Sequence, residues 1–143
     1  MEHKSTTQLM KILNQVDNDS KIEEYLSELD SSDMPTTFPS YMEKIMEEKH
    51  IDKSDLINNS QIERTYGYQI LNGRKNAGRN KIIAMCLAAK LNIKETQRAL
   101  EIAHEGVLYS RDKRDAVIIF AVNHKYNVIK TNQLLKEYNF EEL

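Results

Sequence analysis

The sequence predicts an all-α protein. Four glycines and two prolines in 143 residues leave little room for β-hairpins or long loops. Apolar residues recur at helical spacing along most of the chain. Hydrophobic residues make up 40% and charged residues 29%, which is typical of a soluble globular protein. The length suits one domain, or a small domain with an appendage.

Residues 1–33 are predicted to form an acidic helical arm in two pieces, with residues 17–20 as the polar break between them. Pieces this short are unstable alone, so their apolar stripes need a surface to cover them. That surface is either the chain's own core or, functionally, a dimer or protein partner. Residues 34–39 are predicted to be a linker, because two prolines there disfavour helix. The stripes consist of Leu9, Ile12, Leu13 and Val16, then Ile22, Tyr25, Leu26 and Leu29.

The central feature is residues 52–73, which are predicted to form two short helices joined by a tight turn. Asp52 is a suitable N-cap for the first helix, and Leu56 and Ile57 supply its apolar face. Asn58-Asn59-Ser60 has the composition of a turn. The second helix spans about residues 62–72 and is ended by the glycine of Asn72-Gly73.

This layout resembles the helix-turn-helix of the phage lambda repressor-like and Cro-like (XRE-type) regulators, without a gap from Ile51 to Lys75. The resemblance implies that the second helix lies in the major groove of DNA and that two copies place their helices about 34 Å apart. The side chains expected at base edges are Arg64, Thr65, Tyr68 and Gln69. Those expected at phosphates are Lys53, Asn72, Lys75 and, as further candidates, Arg74 and Arg79.

Two positions depart from the family pattern. Ile57 stands where the family usually has alanine, and Gly67 stands where it has a branched apolar residue. Large and small partners are thus exchanged, which conserves their summed volume and indicates that the two positions are in contact. Gln61 stands where glycine is common in the turn, so the turn is expected to shift onto Asn59 or to lengthen.

Three further helices, over residues 41–50, 79–90 and 93–104, complete a predicted five-helix domain spanning residues 40–104. Residues 105–143 are predicted to be a helical hairpin packed on that domain. Its first helix contains the apolar run 116–122, which is expected to be buried on several sides. Two aspartates and two arginines precede this run. The aspartates are expected to start the helix, and the arginines are expected to pair with them or with nearby carboxylates. The four residues are Arg111, Asp112, Arg114 and Asp115.

Charge is unevenly distributed. Residues 1–50 carry five basic and eleven acidic side chains, a net −6, while residues 53–81 carry six basic and two acidic, a net +4. A basic face confined to the motif is what contact with phosphates requires, although an ordinary solvated surface is the alternative.

The residues that enzymes and metal sites need are not grouped. The one cysteine, Cys86, lies in an apolar run, so no disulfide is expected and a reducing cytoplasm fits. The four histidines are scattered, and the glycines lack the spacing of a phosphate-binding loop. We expect a cytoplasmic non-enzyme with no cofactor and no metal, and without a signal peptide or membrane span.

The leading hypothesis is sequence-specific binding of double-stranded DNA by a bacterial or phage transcriptional regulator, as a homodimer. The alternative is a protein-interaction adaptor that uses the same fold without DNA, docking a partner through the arm or the C-terminal hairpin. The low overall charge of −2 and two tyrosines on the second helix favour that alternative. An antitoxin or phage immunity component would overlap both.

Overall fold

The computed structural model describes residues 6–15, 21–26 and 35–143, and within these ranges it contains helices and turns but no β-strand. The all-α prediction is therefore confirmed at this level. The chain divides into two units, residues 1–35 and 36–143. The helices, in chain order, are α1 (Thr6–Asn14), α2 (21–26), α3 (Phe38–Lys49), α4 (Lys53–Ser60), α5 (Arg64–Leu71), α6 (Arg79–Ala88), α7 (Ile93–Ile102), α8 (Lys113–Asn123) and α9 (Val128–Glu137).

The first unit contributes α1 and α2. Along α1, Leu9 and Ile12 are half-buried, while Met10 is 54% exposed and Leu13 is 37% exposed. In α2, Leu26 is 52% exposed. The polar break at 17–20, the ends of both predicted stripes (Val16 and Leu29) and residues 30–34 lie outside the described residues.

The second unit begins earlier than predicted. Thr37 and Ser40 form a reciprocal capping box at the start of α3, in which each side chain accepts a hydrogen bond from the other's backbone N–H. Pro39 lies in the first helical turn and not in a linker, because a helix tolerates proline where its N–H would have no partner. Helix α3 therefore begins at Phe38, within the range 34–39 that was predicted to be a linker.

Helix α6 is the centre of the second unit. Each of its residues from Ile82 to Ala88 is buried, and it contacts α4, α7 and α9. The other main contacts are those of α3 with α5 and α7, of α4 with α5, and of α8 with α7 and α9. A helix that is apolar on every side suits such a central position.

The C-terminal helices share this core. Ile118 and Val122 of α8 and Leu135 of α9 belong to the same buried cluster as Ile82 of α6. The prediction that α8 is buried on several sides agrees with its contacts with α7 and α9, while Phe120 on its outer side is 45% exposed. In the part of the chain that is described, no helix has both the length and the apolar character needed to cross a membrane.

Candidate nucleic-acid interface

The α4–α5 pair is stabilised at its turn by side chains that bind backbone groups. Ser60 Oγ donates to Ile57 O at 2.7 Å and accepts from Ile62 N at 3.3 Å. Gln61 Nε2 donates to Asn58 O at 3.0 Å. These bonds satisfy groups that the end of α4 would otherwise leave without partners.

Gln61 itself adopts the left-handed conformation, with φ at 62°, and α4 continues through Ser60. The expected shift of the turn onto Asn59 was wrong. The described part of the chain uses non-glycine residues for left-handed backbone repeatedly, since His50, Lys90 and His104 also have positive φ. The local strain costs on the order of 1 kcal/mol at such a position and is offset by the packing around it.

Gly67 of α5 lies directly against Ile57 of α4. A Cβ added to Gly67 would lie 2.6 Å from Ile57 Cγ2 and 3.1 Å from Cγ1, which is closer than packed carbon atoms approach. Ile57 is completely buried. The contact inferred from the exchanged large and small residues is therefore confirmed, and it sets how closely the two helices approach.

Helix α5 presents the predicted base-contacting side chains on its outer side. Arg64 and Thr65, in its first turn, are exposed, whereas Tyr68 and Gln69 are half-buried. The guanidinium carbon of Arg64 lies 5.6 Å from the centre of the Tyr68 ring, one helical turn away. A cation over an aromatic ring at this range is weakly attracted to it, which orients the arginine along the helix surface.

The predicted phosphate-contacting residues fall into two groups. Lys53 Nζ donates to Asn72 Oδ1 at 3.4 Å, so the start of α4 and the end of α5 meet at one surface. Arg74 and Lys75 follow directly, with exposed side chains and with both backbone N–H groups donating to Gln69 O. Four of the five candidates therefore lie at or just beyond the C-terminal end of α5.

Arg79 has a different role. Its guanidinium forms a two-pronged ion pair with Asp115, with Nη1–Oδ1 at 2.9 Å and Nη2–Oδ2 at 2.8 Å. Its other hydrogen bonds go to the carbonyl oxygens of Gly106 and Val107. Four of its five N–H donors are therefore used inside the protein, which leaves one donor for a contact with phosphate.

The charged residues before α8 pair differently from the prediction. Asp112 caps α8 by accepting a hydrogen bond from Asp115 N, as expected of a helix start. Arg114, however, donates to Glu141 O and Asn80 Oδ1 rather than to a carboxylate. Burial by itself raises the pKa of Asp115, but hydrogen bonds from Arg79 and Tyr109 N outweigh it and hold that pKa below its usual value.

Glu63 was counted as a surface charge and its structural role was missed. Its two carboxylate oxygens accept from Tyr66 N at 2.9 Å and Thr65 N at 3.0 Å, which caps α5 and lowers the pKa of Glu63. Acidic side chains are favoured at the start of a helix, so Glu63 at the beginning of the predicted helix 62–72 was the available signal. Glu63 is also the one carboxylate between Asp55 and Glu95, a stretch with seven lysines and arginines.

The thiol of Cys86 is completely buried. Burial raises the pKa of Cys86 to about 12, so the thiol stays protonated at neutral pH and is not a nucleophile. Among the described residues, no three or more His, Cys, Asp or Glu side chains are grouped to hold a metal ion. No family model, no curated protein and no solved structure matches this chain.

Proposed function

We propose that this protein binds double-stranded DNA sequence-specifically through α5 and acts as a bacterial or phage transcriptional regulator. The observation that carries the proposal is the outer surface of the α4–α5 pair. There an exposed first helical turn bearing Arg64 and Thr65 leads to a cationic end formed by Lys53, Arg74 and Lys75. An α-helix fits the major groove, and cations at its margin supply the phosphate contacts.

The proposed role of each side chain follows from the hydrogen-bond donors and acceptors that it carries. Arg64 suits the two acceptors of a guanine edge, and Gln69 suits the acceptor and donor of an adenine edge. Thr65 and Tyr68 complete the surface that faces the bases. Lys53, Asn72, Arg74 and Lys75 hold the phosphates and set the register of α5, and these contacts carry no sequence information.

The proposal includes a lambda-repressor-like arrangement of the five helices α3–α7 and binding as a homodimer. Two copies would then place their α5 helices in successive major grooves, about 34 Å apart, on a site with two-fold symmetry. The close Gly67–Ile57 contact supports a rigid pair, because it leaves little freedom for α5 to move relative to α4.

The test is a selection of preferred sites from random duplexes by the full chain, followed by affinity measurements on the enriched site. Arg64→Ala should weaken binding to that site by about 1–3 kcal/mol and relax the preference at one base pair. Arg111→Ala is the matched control, since it removes the same charge from an exposed position before α8.

Two results would contradict the proposal. The first is that no sequence is enriched while the chain remains folded. The second is that Arg64→Ala and Arg111→Ala bind every duplex as the parent does. Either outcome would favour the adaptor hypothesis, in which the same helices do not bind DNA.

A further inference from the structure

Helix α8 has an outward line of residues that the second unit leaves uncovered. Lys113, Ala116, Phe120 and His124 are spaced three or four apart, so they lie on one face of the helix. Ala116 and His124 are exposed, and Phe120 is 45% exposed. The line is apolar in its middle and cationic at one end, whereas the opposite face of α8 is buried in the core.

Aromatic side chains extend this line towards α9. The rings of Phe120 and His124 are stacked with their centres 4.0 Å apart, and the Tyr126 ring lies 5.8 Å from each of them. Lys130 Nζ lies 4.1 Å from the centre of the Tyr126 ring. These four residues, Phe120, His124, Tyr126 and Lys130, form a contiguous surface that we call the aromatic patch.

The chain segment that carries the aromatic patch has a positive net charge. Residues 116–136 contain three lysines and one histidine but no aspartate or glutamate. At the margin, Lys90 and Lys125 are held side by side, because each ammonium group donates to the other's carbonyl oxygen at 2.9 Å. An apolar centre with a cationic margin is complementary to a partner that has an apolar anchor side chain and carboxylates.

We propose that the aromatic patch docks an acidic protein segment that carries an aromatic or aliphatic anchor. The anchor packs on Phe120 and Ala116, where it removes exposed apolar surface from water. The carboxylates of the segment lie near Lys130 and Lys113, where they pair with the ammonium groups. An amphipathic acidic helix satisfies both requirements with residues one turn apart.

Two other occupants fit the charge pattern less well. A second copy of the chain would bring Lys130 towards the lysines of the same face, and like charges across an interface are unfavourable. A nucleic-acid strand carries a phosphate at every nucleotide, but Ala116 and Phe120 offer that strand no donor. The Phe120 ring also has one face occupied by His124, which leaves less surface for a stacked base.

The test is a display selection of random peptides of four helical turns on the full chain. Binders should be enriched in aspartate and glutamate together with phenylalanine, leucine or tryptophan. Phe120→Ala and Lys130→Glu should each weaken a selected peptide at least about tenfold, since they remove the anchor surface and reverse a charge. Tyr138→Ala is the matched control, because this aromatic side chain is 58% exposed and makes no ring contact with the patch.

The readouts are separate from DNA binding, which the three variants are expected to leave unchanged. Enrichment of neutral or basic peptides would overturn the proposal. The proposal would also be overturned if acidic peptides bound Phe120→Ala and Lys130→Glu as tightly as the parent, because their binding site would then lie outside the aromatic patch. If Phe120→Ala lowers the thermal stability, Lys130→Glu decides the outcome, because its side chain is exposed.

The rival occupants have their own signatures. A loss of self-association by light scattering in the patch variants, without enrichment of acidic peptides, would show that a second copy covers the face. Binding of an oligothymidylate by the parent but not by the variants would show a nucleic-acid site. Each of these results contradicts the acidic partner.

Discussion

The α4–α5 pair and the α8–α9 pair are both short helical pairs that pack against α6, yet their outward surfaces differ. The first presents arginine, threonine and glutamine side chains beside a cationic end. The second presents Phe120 and Ala116 with lysines at the margin. Similar packing on one central helix thus leaves two outward surfaces of different chemistry, which we propose bind different partners.

The two pairs are also anchored differently. In the first, the absence of a side chain at Gly67 lets α5 approach Ile57 closely. In the second, the start of α8 is tied to the start of α6 by the ion pair between Asp115 and Arg79. One anchor depends on shape and the other on charge and hydrogen bonds, so they should respond differently to mutation and to pH.

The largest effect is expected from Asp115→Ala. The Asp115 side chain is 8% exposed, and its removal leaves two N–H groups of Arg79 and the backbone N–H of Tyr109 without their acceptor. We expect a loss of about 3–5 kcal/mol in the free energy of unfolding by urea. Asp112→Ala, three residues earlier, removes only a helix cap and should cost about 1 kcal/mol. Equal costs for the two variants would show that the ion pair does not anchor α8.

The same ion pair predicts a pH dependence. The folded-state pKa of Asp115 is lowered, so its contribution to stability is present above the unfolded value of about 4 and is lost as the pH falls through the folded-state pKa. In Asp115→Asn, this part of the acid sensitivity should be absent. Urea unfolding of both chains from neutral to strongly acidic pH measures the difference, and parallel curves would contradict it.

A smaller effect is expected at the shape-based anchor. Gly67→Ala should destabilise the protein by about 1–3 kcal/mol through overpacking against Ile57, although alanine favours helix over glycine by about 1 kcal/mol. Ile57→Ala alone should cost about 2–5 kcal/mol, and the double variant should cost at least about 1 kcal/mol less than the sum.

Gly78→Ala is the control for that cycle, because an added Cβ there would have no neighbour within 4 Å. It should change the free energy of unfolding by less than about 1 kcal/mol. Strict additivity of Gly67→Ala and Ile57→Ala would mean that the two side chains relax independently and that the pair is not held by this contact.

The smallest effect concerns the charge at the end of α5. Lys75→Ala should weaken binding to all duplexes alike and reduce the slope of log affinity against log salt by about 0.9, which corresponds to one phosphate contact. Lys136→Ala, an exposed lysine in the last turn of α9, should leave the slope unchanged. If the two variants change this slope equally, the duplex does not contact the α4–α5 pair in preference to the α8–α9 pair.

The sequence predicted much of the fold because its local signals agree. The motif helices follow from the apolar Leu56 and Ile57 and from the glycine after Asn72. The predicted turn at 58–60 was wrong, because these residues are the end of α4, and Glu63 rather than Ser60 caps α5. The packing of Gly67 on Ile57 was also predictable, because the two residues exchange large for small relative to the helix-turn-helix pattern that the motif resembles. The lambda-repressor-like arrangement and DNA binding remain proposals.

The roles of other residues depended on distant parts of the chain. Arg79 is 36 positions from Asp115, so no local pattern distinguishes an arginine that pairs with this carboxylate from one that faces solvent. The same limit applies to α8, where composition predicted burial on several sides but could not say which side the rest of the chain leaves open. Phe120 is exposed because α7 and α9 cover the other faces of that helix.

By itself, the sequence determined what is encoded by neighbours along the chain: helical periodicity, caps, the glycine stop after α5 and the concentration of cations around it. Tertiary structure alone decided which charged side chains are free to meet a partner and which are used internally. The physical reason is that a hydrogen bond or ion pair depends on distances of about 3 Å between atoms, and only the packed helices fix those distances for residues far apart in sequence.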